Sequence, residues 1–239
     1  MGVENRLVEE RWSRIKALIG EKGFKRLSQA QVAVVGLGGV GGYAAEALAR
    51  SGVGRMVLID GDIVEESNIN RQVVAFSSTV GQPKVEVMKR KIQDINPNCQ
   101  VTAVFASYRE GRPEFIWQED LDYVVDAIDF LPDKIDLILR CCYNKIKIAS
   151  SMGMANRLDP MNLKVADISQ TRVCPLARRV RRELARHGIK SGVQVVYSEE
   201  TPRKATGQTL GSVAFVTGTA GLLLAGLVVN DLLKGSLGQ

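Results

Sequence analysis

Histidine, cysteine and aromatic residues are scarce in this sequence. Its 239 residues include one histidine and four cysteines, and only 5% are aromatic. The histidine, His187, ends a predicted helix and reads as a cation near a helix C-terminus rather than as a general base. Cys99, Cys141, Cys142 and Cys174 form no regular framework, which excludes a disulfide scaffold, and none has zinc spacing. Cys141 and Cys142 are adjacent within a predicted helix, where side chains point about 100° apart. Cys174 precedes a proline at a helix start, a position that favours a thiolate, but a structural cysteine is the preferred reading. No apolar leader opens the chain, since Met1 to Lys16 is charged throughout, so a cytoplasmic, reducing location is expected. Internal repeats and low-complexity linkers are also missing. With 45% hydrophobic and 24% charged residues, the composition excludes disorder, collagen and coiled-coil fibre.

An excess of one sign of charge is missing from the first part and present in the last. Residues 1–149 carry 20 basic and 20 acidic side chains, whereas residues 150–239 carry 12 and 6. The net charge of +6 therefore resides in the C-terminal part, which fits either a polyanion partner or a well-solvated surface. Leu210 to Val229 is a run of 20 residues without a charge, long enough to span a bilayer. Gly211, Gly218, Gly221 and Gly226 interrupt it, so a buried core or dimer-interface helix is the preferred reading. Peripheral membrane association stays open alongside it.

Short apolar runs alternating with helical stretches predict a doubly wound, mainly parallel α/β sheet, Rossmann-like, with C-terminal strands and helices packed on the same sheet. A helical region is expected over 5–27. Strands are expected at Val32–Val35, Arg55–Asp60, Val101–Phe105, Asp122–Ala127 and Lys145–Ala149. Helices are expected at Tyr43–Arg50, Lys84–Ile95 and Lys134–Cys142. Regularity weakens after Ser150, where Leu163–Ile168 reads as a strand, Pro175–Arg186 as a basic helix and Ser198–Gln208 as a polar loop.

Gly36-Leu37-Gly38-Gly39-Val40-Gly41 follows the first strand and opens a helix, the arrangement in which backbone N–H groups approach a phosphate. Asp60 ends the second strand, where a carboxylate binds ribose hydroxyls. Those features alone fit NAD and ATP equally. The stretch from Asp60 through Asp62, Asn68, Arg71 and Gln72 is polar where a hydride-transfer enzyme would start its next apolar helix. Gly81-Gln82-Pro83-Lys84 then sets a lysine at a helix start. Arg71 and Lys84 are suited to a triphosphate, and Asp129 to Mg²⁺.

This ordered set resembles the ubiquitin-activating-enzyme-like superfamily of adenylating enzymes over roughly residues 6–153. The resemblance implies that Gly38 and Gly39, with Gly36 and Gly41 in the same loop, line the phosphates. Asp60 and Asp62 would lie in the nucleotide site, with Asp60 on the ribose. Asn68, Arg71 and Lys84 would contact phosphates and Asp129 would hold Mg²⁺. Arg14, in Arg11-Trp12-Ser13-Arg14, matches an arginine that the superfamily inserts into the neighbouring subunit's site, which implies a homodimer. The catalytic set implied is therefore Arg14, Arg71, Lys84 and Asp129.

Cys174 to Arg186 forms a segregated helix, with Leu176, Val180 and Leu184 on one stripe and Arg178, Arg179, Arg182 and Arg186 on the other side. An arginine face suits RNA phosphates, acidic lipid or solvent. The order Asp167-Ile168-Ser169, then Pro-Leu-Ala with arginines, then Gly-Ser-x-x-Phe-x-x-Gly-x-x-Gly resembles the tRNA threonylcarbamoyladenosine dehydratases, extending the resemblance over nearly the whole chain. It implies ATP-dependent activation of the threonylcarbamoyl carboxylate, followed by ring closure within the side chain. It also implies a tRNA substrate. The dehydratases usually carry an acidic residue where this chain has Cys174, a departure that touches that residue alone. The expected layout is one adenylation domain over 1–239: an arm (1–30) reaching the dimer partner, a nucleotide core (31–153) and a substrate and tRNA part (154–239). Activation of a ubiquitin-like sulfur carrier, an NAD-dependent oxidoreductase, a non-catalytic nucleotide-binding module and a sulfur-relay partner stay open at this point.

Overall fold

A computed structural model describes residues 3–108, 120–204, 207 and 209–234. Helix α1 (Val3–Gln29) leads into strand β1 (Gln31–Val35) and is interrupted at Gly20, whose φ of 70° and ψ of 171° are non-helical. There follow α2 (Gly41–Arg50), β2 (Arg55–Ile59), α3 (Lys84–Ile95), β3 (Gln100–Val104), β4 (Tyr123–Asp126), α4 (Leu131–Tyr143) and β5 (Lys147–Ser151). The C-terminal part adds β6 (Leu163–Asp167), α5 (Pro175–Arg186), β7 (Gln194–Ser198) and α6 (Ala214–Leu233).

Among the described residues, seven strands form one sheet in the order β3-β2-β1-β4-β5-β7-β6. Every pairing is parallel except that of β6 with β7, which puts the one antiparallel strand at the edge. Strands with helices on both sides must be apolar on both faces. Along β1, Val32 and Val34 enter the core shared with α2, α3 and α6, while Ala33 and Val35 enter the core shared with α4 and α5. Burying each of these valines stabilises the fold by about 1.5–3 kcal/mol before chain entropy is counted. The chain reverses direction across the sheet at β1, which has β2 on one side and β4 on the other. A crevice for ligands therefore opens at the carboxyl ends of β1 and β4.

Three local readings are corrected. The fifth strand lies two residues later than expected, because Lys145 takes a φ of 57° and Ile146 N–H donates to Cys141 O, closing the end of α4 first. Gln194–Ser198 is a strand that periodicity did not reveal, and Ser198 belongs to it rather than to the following loop. The uncharged run becomes helical only at Ala214. In α6, Val216, Ala220, Leu224 and Val228 are buried, whereas Phe215 and Leu222 are exposed. The helix is long and apolar enough to cross a membrane, yet one side of it is fixed on protein. A Cβ at Gly221 would stand 2.3 Å from Val40 O, so α6 and α2 meet backbone to backbone.

Candidate active site

The loop after β1 can be built only from glycine at two points. Gly36 has a φ of 89°, and a Cβ on it would lie 2.7 Å from Ala127 O. A Cβ on Gly41 would lie 1.8 Å from Gly36 O. The first turn of α2 thus presses against the β4 loop, and no side chain caps it. Uncapped N–H groups at a helix N-terminus suit a phosphate.

Asp60 faces this loop from the end of β2. Its carboxylate accepts hydrogen bonds from Leu37 N–H at 2.6 Å and Asp62 N–H at 2.8 Å. Burial raises its pKa above the usual carboxylate range, against the opposing pull of the Lys84 charge and these two backbone donors. Lys84, the first residue of α3, is buried and pairs with Asp62 at 2.7 Å. Arg71 lies along the glycine loop, its Cγ 3.4 Å from where a Gly39 Cβ would be. Its Nη1 donates to Ser67 O and Asn70 Oδ1 at 2.9 and 3.0 Å. Gly36, Gly38, Gly39, Gly41, Asp60, Asp62, Arg71 and Lys84 therefore belong to one continuous rim. Asn68 is buried beneath it and spent on its own turn, accepting from Glu65 N–H and donating to Ser67.

Two features of this rim escape sequence reasoning. Gln72 Nε2 lies 4.0 Å from where a Gly38 Cβ would be, and its buried Oε1 has no hydrogen-bond partner among the described residues. Its place beside Arg71 in the polar stretch was the available signal. Asp126 is wholly buried at the end of β4 and bonds to Lys134 Nζ at 2.6 Å and Ser150 Oγ at 2.5 Å. Lys134 Nζ also donates to Ser151 O at 2.9 Å. The second oxygen of Asp126 accepts from Ile128 N–H at 3.0 Å, which fixes the turn that presents Asp129. Asp129 itself is exposed. An aspartate closing a strand that is apolar on both faces was the signal for this pair; its lysine partner came from another element.

Arg14 is exposed on α1 and makes no hydrogen bond or ion pair among the described residues, so no such bond ties it to the glycine loop of its own chain there. Arg178, Arg179, Arg182 and Arg186 are all exposed on α5, while Ala177, Val180 and Leu184 are buried beneath. Glu183 takes part of that charge, pairing with Arg186 at 2.7 Å and standing 3.7 Å from Arg182. Arg181 turns inward and donates to Thr171. Cys174 is buried at the start of α5, which disfavours a thiol intermediate there. Burial pushes the Cys99 thiol up to about 12. His187 is exposed at the C-terminus of α5.

The profile of the ThiF family matches residues 12–239. The chain is 47% identical to the tRNA threonylcarbamoyladenosine dehydratase of Bacillus subtilis, over 93% of its own length and 94% of the relative's. Its structure resembles that of E. coli tRNA N6-threonylcarbamoyladenosine dehydratase, TcdA, in complex with AMP, with a TM-score of 0.90, 34% identity and 97% of each chain covered. The ATP complex of the same E. coli enzyme matches with a TM-score of 0.89 at 34% identity, covering 95% of this chain and 96% of that one. The chain belongs to the ThiF family, on its tRNA threonylcarbamoyladenosine dehydratase branch.

Proposed function

We propose that this protein uses ATP to dehydrate the threonylcarbamoyl side chain of a modified tRNA adenosine. The observation that carries the reading is the convergence of the uncapped glycine loop, Arg71, Lys84 and the Asp129 turn on one crevice. ATP phosphates lie on the loop N–H groups, and Asp60 faces the ribose. A substrate carboxylate oxygen attacks the α-phosphorus, the bond to pyrophosphate breaks, and an acyl-adenylate forms. Arg71 and Lys84 offset the charge gathering on the departing phosphates. The tethered ureido group then attacks the activated carbonyl, loses a proton, and expels AMP with the former carboxylate oxygen. Tethering gives this step the advantage of an intramolecular reaction, so no enzyme thiol is required.

One exposed carboxylate fits Mg²⁺, which is usually held by one or two carboxylates together with substrate phosphates. Asp129 has that role in our reading, because Asp126 is already committed to Lys134. When bound, the ion would neutralise phosphate charge. The arginine face of α5 holds tRNA phosphates, and Arg14 serves the site of a second copy in a homodimer. The test is ATP–pyrophosphate exchange with threonylcarbamoyl-tRNA or with a ubiquitin-like carrier protein. Exchange with the modified tRNA, and loss of one water from its nucleoside, is expected; exchange with the carrier alone overturns the reading.

A further inference from the structure

Arg157 is 4% exposed, and its guanidinium is largely unspent. Nη1 donates to Ala155 O at 3.1 Å, while Nε and Nη2 are buried with no hydrogen-bond partner among the described residues. Those two nitrogens share one edge of the guanidinium, the edge whose parallel N–H bonds match two oxygens of a carboxylate or phosphate. The neighbouring acids do not compensate it. Asp159 accepts from Met161 N–H and Asn162, and Glu200 accepts from the N–H groups of Leu158 and Asp159. A buried cation without an anion is costly, and folded proteins rarely keep one without a use.

Its position connects the two halves of the proposed site. Arg157 follows β5, which ends on the same rim of the sheet as β1 and β4. A Cβ at Gly153 would lie 3.5 Å from Leu176 Cβ on α5 and 3.9 Å from Arg157 Nη1, so that glycine separates the guanidinium from the arginine helix. On the other side, Asn156 exchanges hydrogen bonds with Gly211, at 2.8 Å from its N–H and 2.7 Å to its Oδ1. Ser212 O accepts from Asn70, which in turn accepts from Arg71. A chain of contacts thus runs from the phosphate-facing arginine to the residue beside Arg157.

We propose that Arg157 is the receptor for an oxyanion of the tRNA substrate, its free Nε–Nη2 edge taking up two oxygens between the nucleotide crevice and α5. The inference rests on the dehydratase reading. The side-chain carboxylate is the favoured source, because it must be held beside the ATP, and a phosphate of the tRNA backbone is the other. Both nitrogens are buried, so reaching the edge requires the chain packed around it to move.

The experiment uses Arg157→Gln, with Arg157→Lys keeping the charge but not the fork. Three quantities are measured: affinity for tRNA with and without the threonylcarbamoyl group, the ATP dissociation constant, and the Tm of the free protein. Wild type should prefer the modified tRNA, and Arg157→Gln should lose that preference by roughly 10- to 100-fold, with Arg157→Lys between the two. ATP affinity should hold, and Tm should hold or rise, since the substitution removes a buried uncompensated charge and only the single bond to Ala155 O is lost. Equal weakening toward both tRNAs assigns the oxyanion to the backbone. A lower Tm with unchanged tRNA affinities makes Arg157 structural and overturns the proposal, as does an effect confined to ATP or no effect at all. A wild-type protein that does not dehydrate the modified tRNA fails the dehydratase reading instead.

Discussion

Asp126 and Lys134 form an ion pair with no exposed surface, and its value depends on both members being present. Removing one leaves a charge buried without compensation, at a cost of about 3–5 kcal/mol, whereas removing both is far milder. Lys134→Met should therefore destabilise the fold by about that amount in urea unfolding, and adding Asp126→Leu should recover at least half of the loss. Activity should not return with stability, because Asp126 also holds Ile128 N–H and so orients the Asp129 turn. Recovery of both would reduce the pair to a core element with no bearing on the site. The glycine loop was legible in the sequence because its constraint is local: Gly36 and Gly41 meet within one turn of chain. The Asp126–Lys134 pair was not, since the lysine returns to the strand end only after α4 has folded back on the sheet. Arg157 was less legible still, because the want of a partner is a property of the packed structure.

At the scale of elements, α5 separates two kinds of arginine that look alike on a helical wheel. Arg181 is spent on Thr171, and Arg182 and Arg186 share Glu183, whereas Arg178 and Arg179 are exposed with no ion pair among the described residues. If these last two hold tRNA phosphates, each contributes about 0.7–0.9 to the slope of log affinity against log salt. Arg178→Gln with Arg179→Gln should weaken tRNA binding and flatten that slope by roughly 1–2 units, leaving ATP affinity in place. The same pair of changes at Arg182 and Arg186 should do less, because Glu183 already offsets their charge. An unaltered slope in the first double variant would return α5 to the role of a solvated surface. The helix was legible because its apolar stripe and its arginines segregate cleanly over three turns. Strand β7 was not: five residues after Gly188 and Gly192, the last four of them buried, give neither alternation nor length to read. Its identity comes from pairing with β5 on one side and β6 on the other.

At the scale of the whole molecule, the crevice lacks the arginine that the sequence offers it. Arg14 lies on α1 with its side chain exposed, and Leu18, one helical turn further on, is 82% exposed. Residues four apart share a helix face, so this part of α1 presents an arginine beside an unburied leucine. Helix α6, which packs against α1, carries Phe215 and Leu222 exposed seven residues apart, again on one face. Apolar faces of this kind are the surfaces that a second copy covers. In a twofold dimer, Arg14 of each subunit would complete the other's site, whereas Asp129 would serve its own. Arg14→Ala and Asp129→Ala homodimers should then both be inactive. An equimolar mixture, once subunits have exchanged, should regain about a quarter of wild-type activity, since half the dimers are mixed and each has one intact site of two. Sedimentation of the wild type should report a dimer, and exchange between differently tagged subunits verifies that mixed dimers form. No recovery in a mixture proven to contain them would mean that each site is built within one chain, and Arg14 would then have to act from a position that α1 does not occupy here.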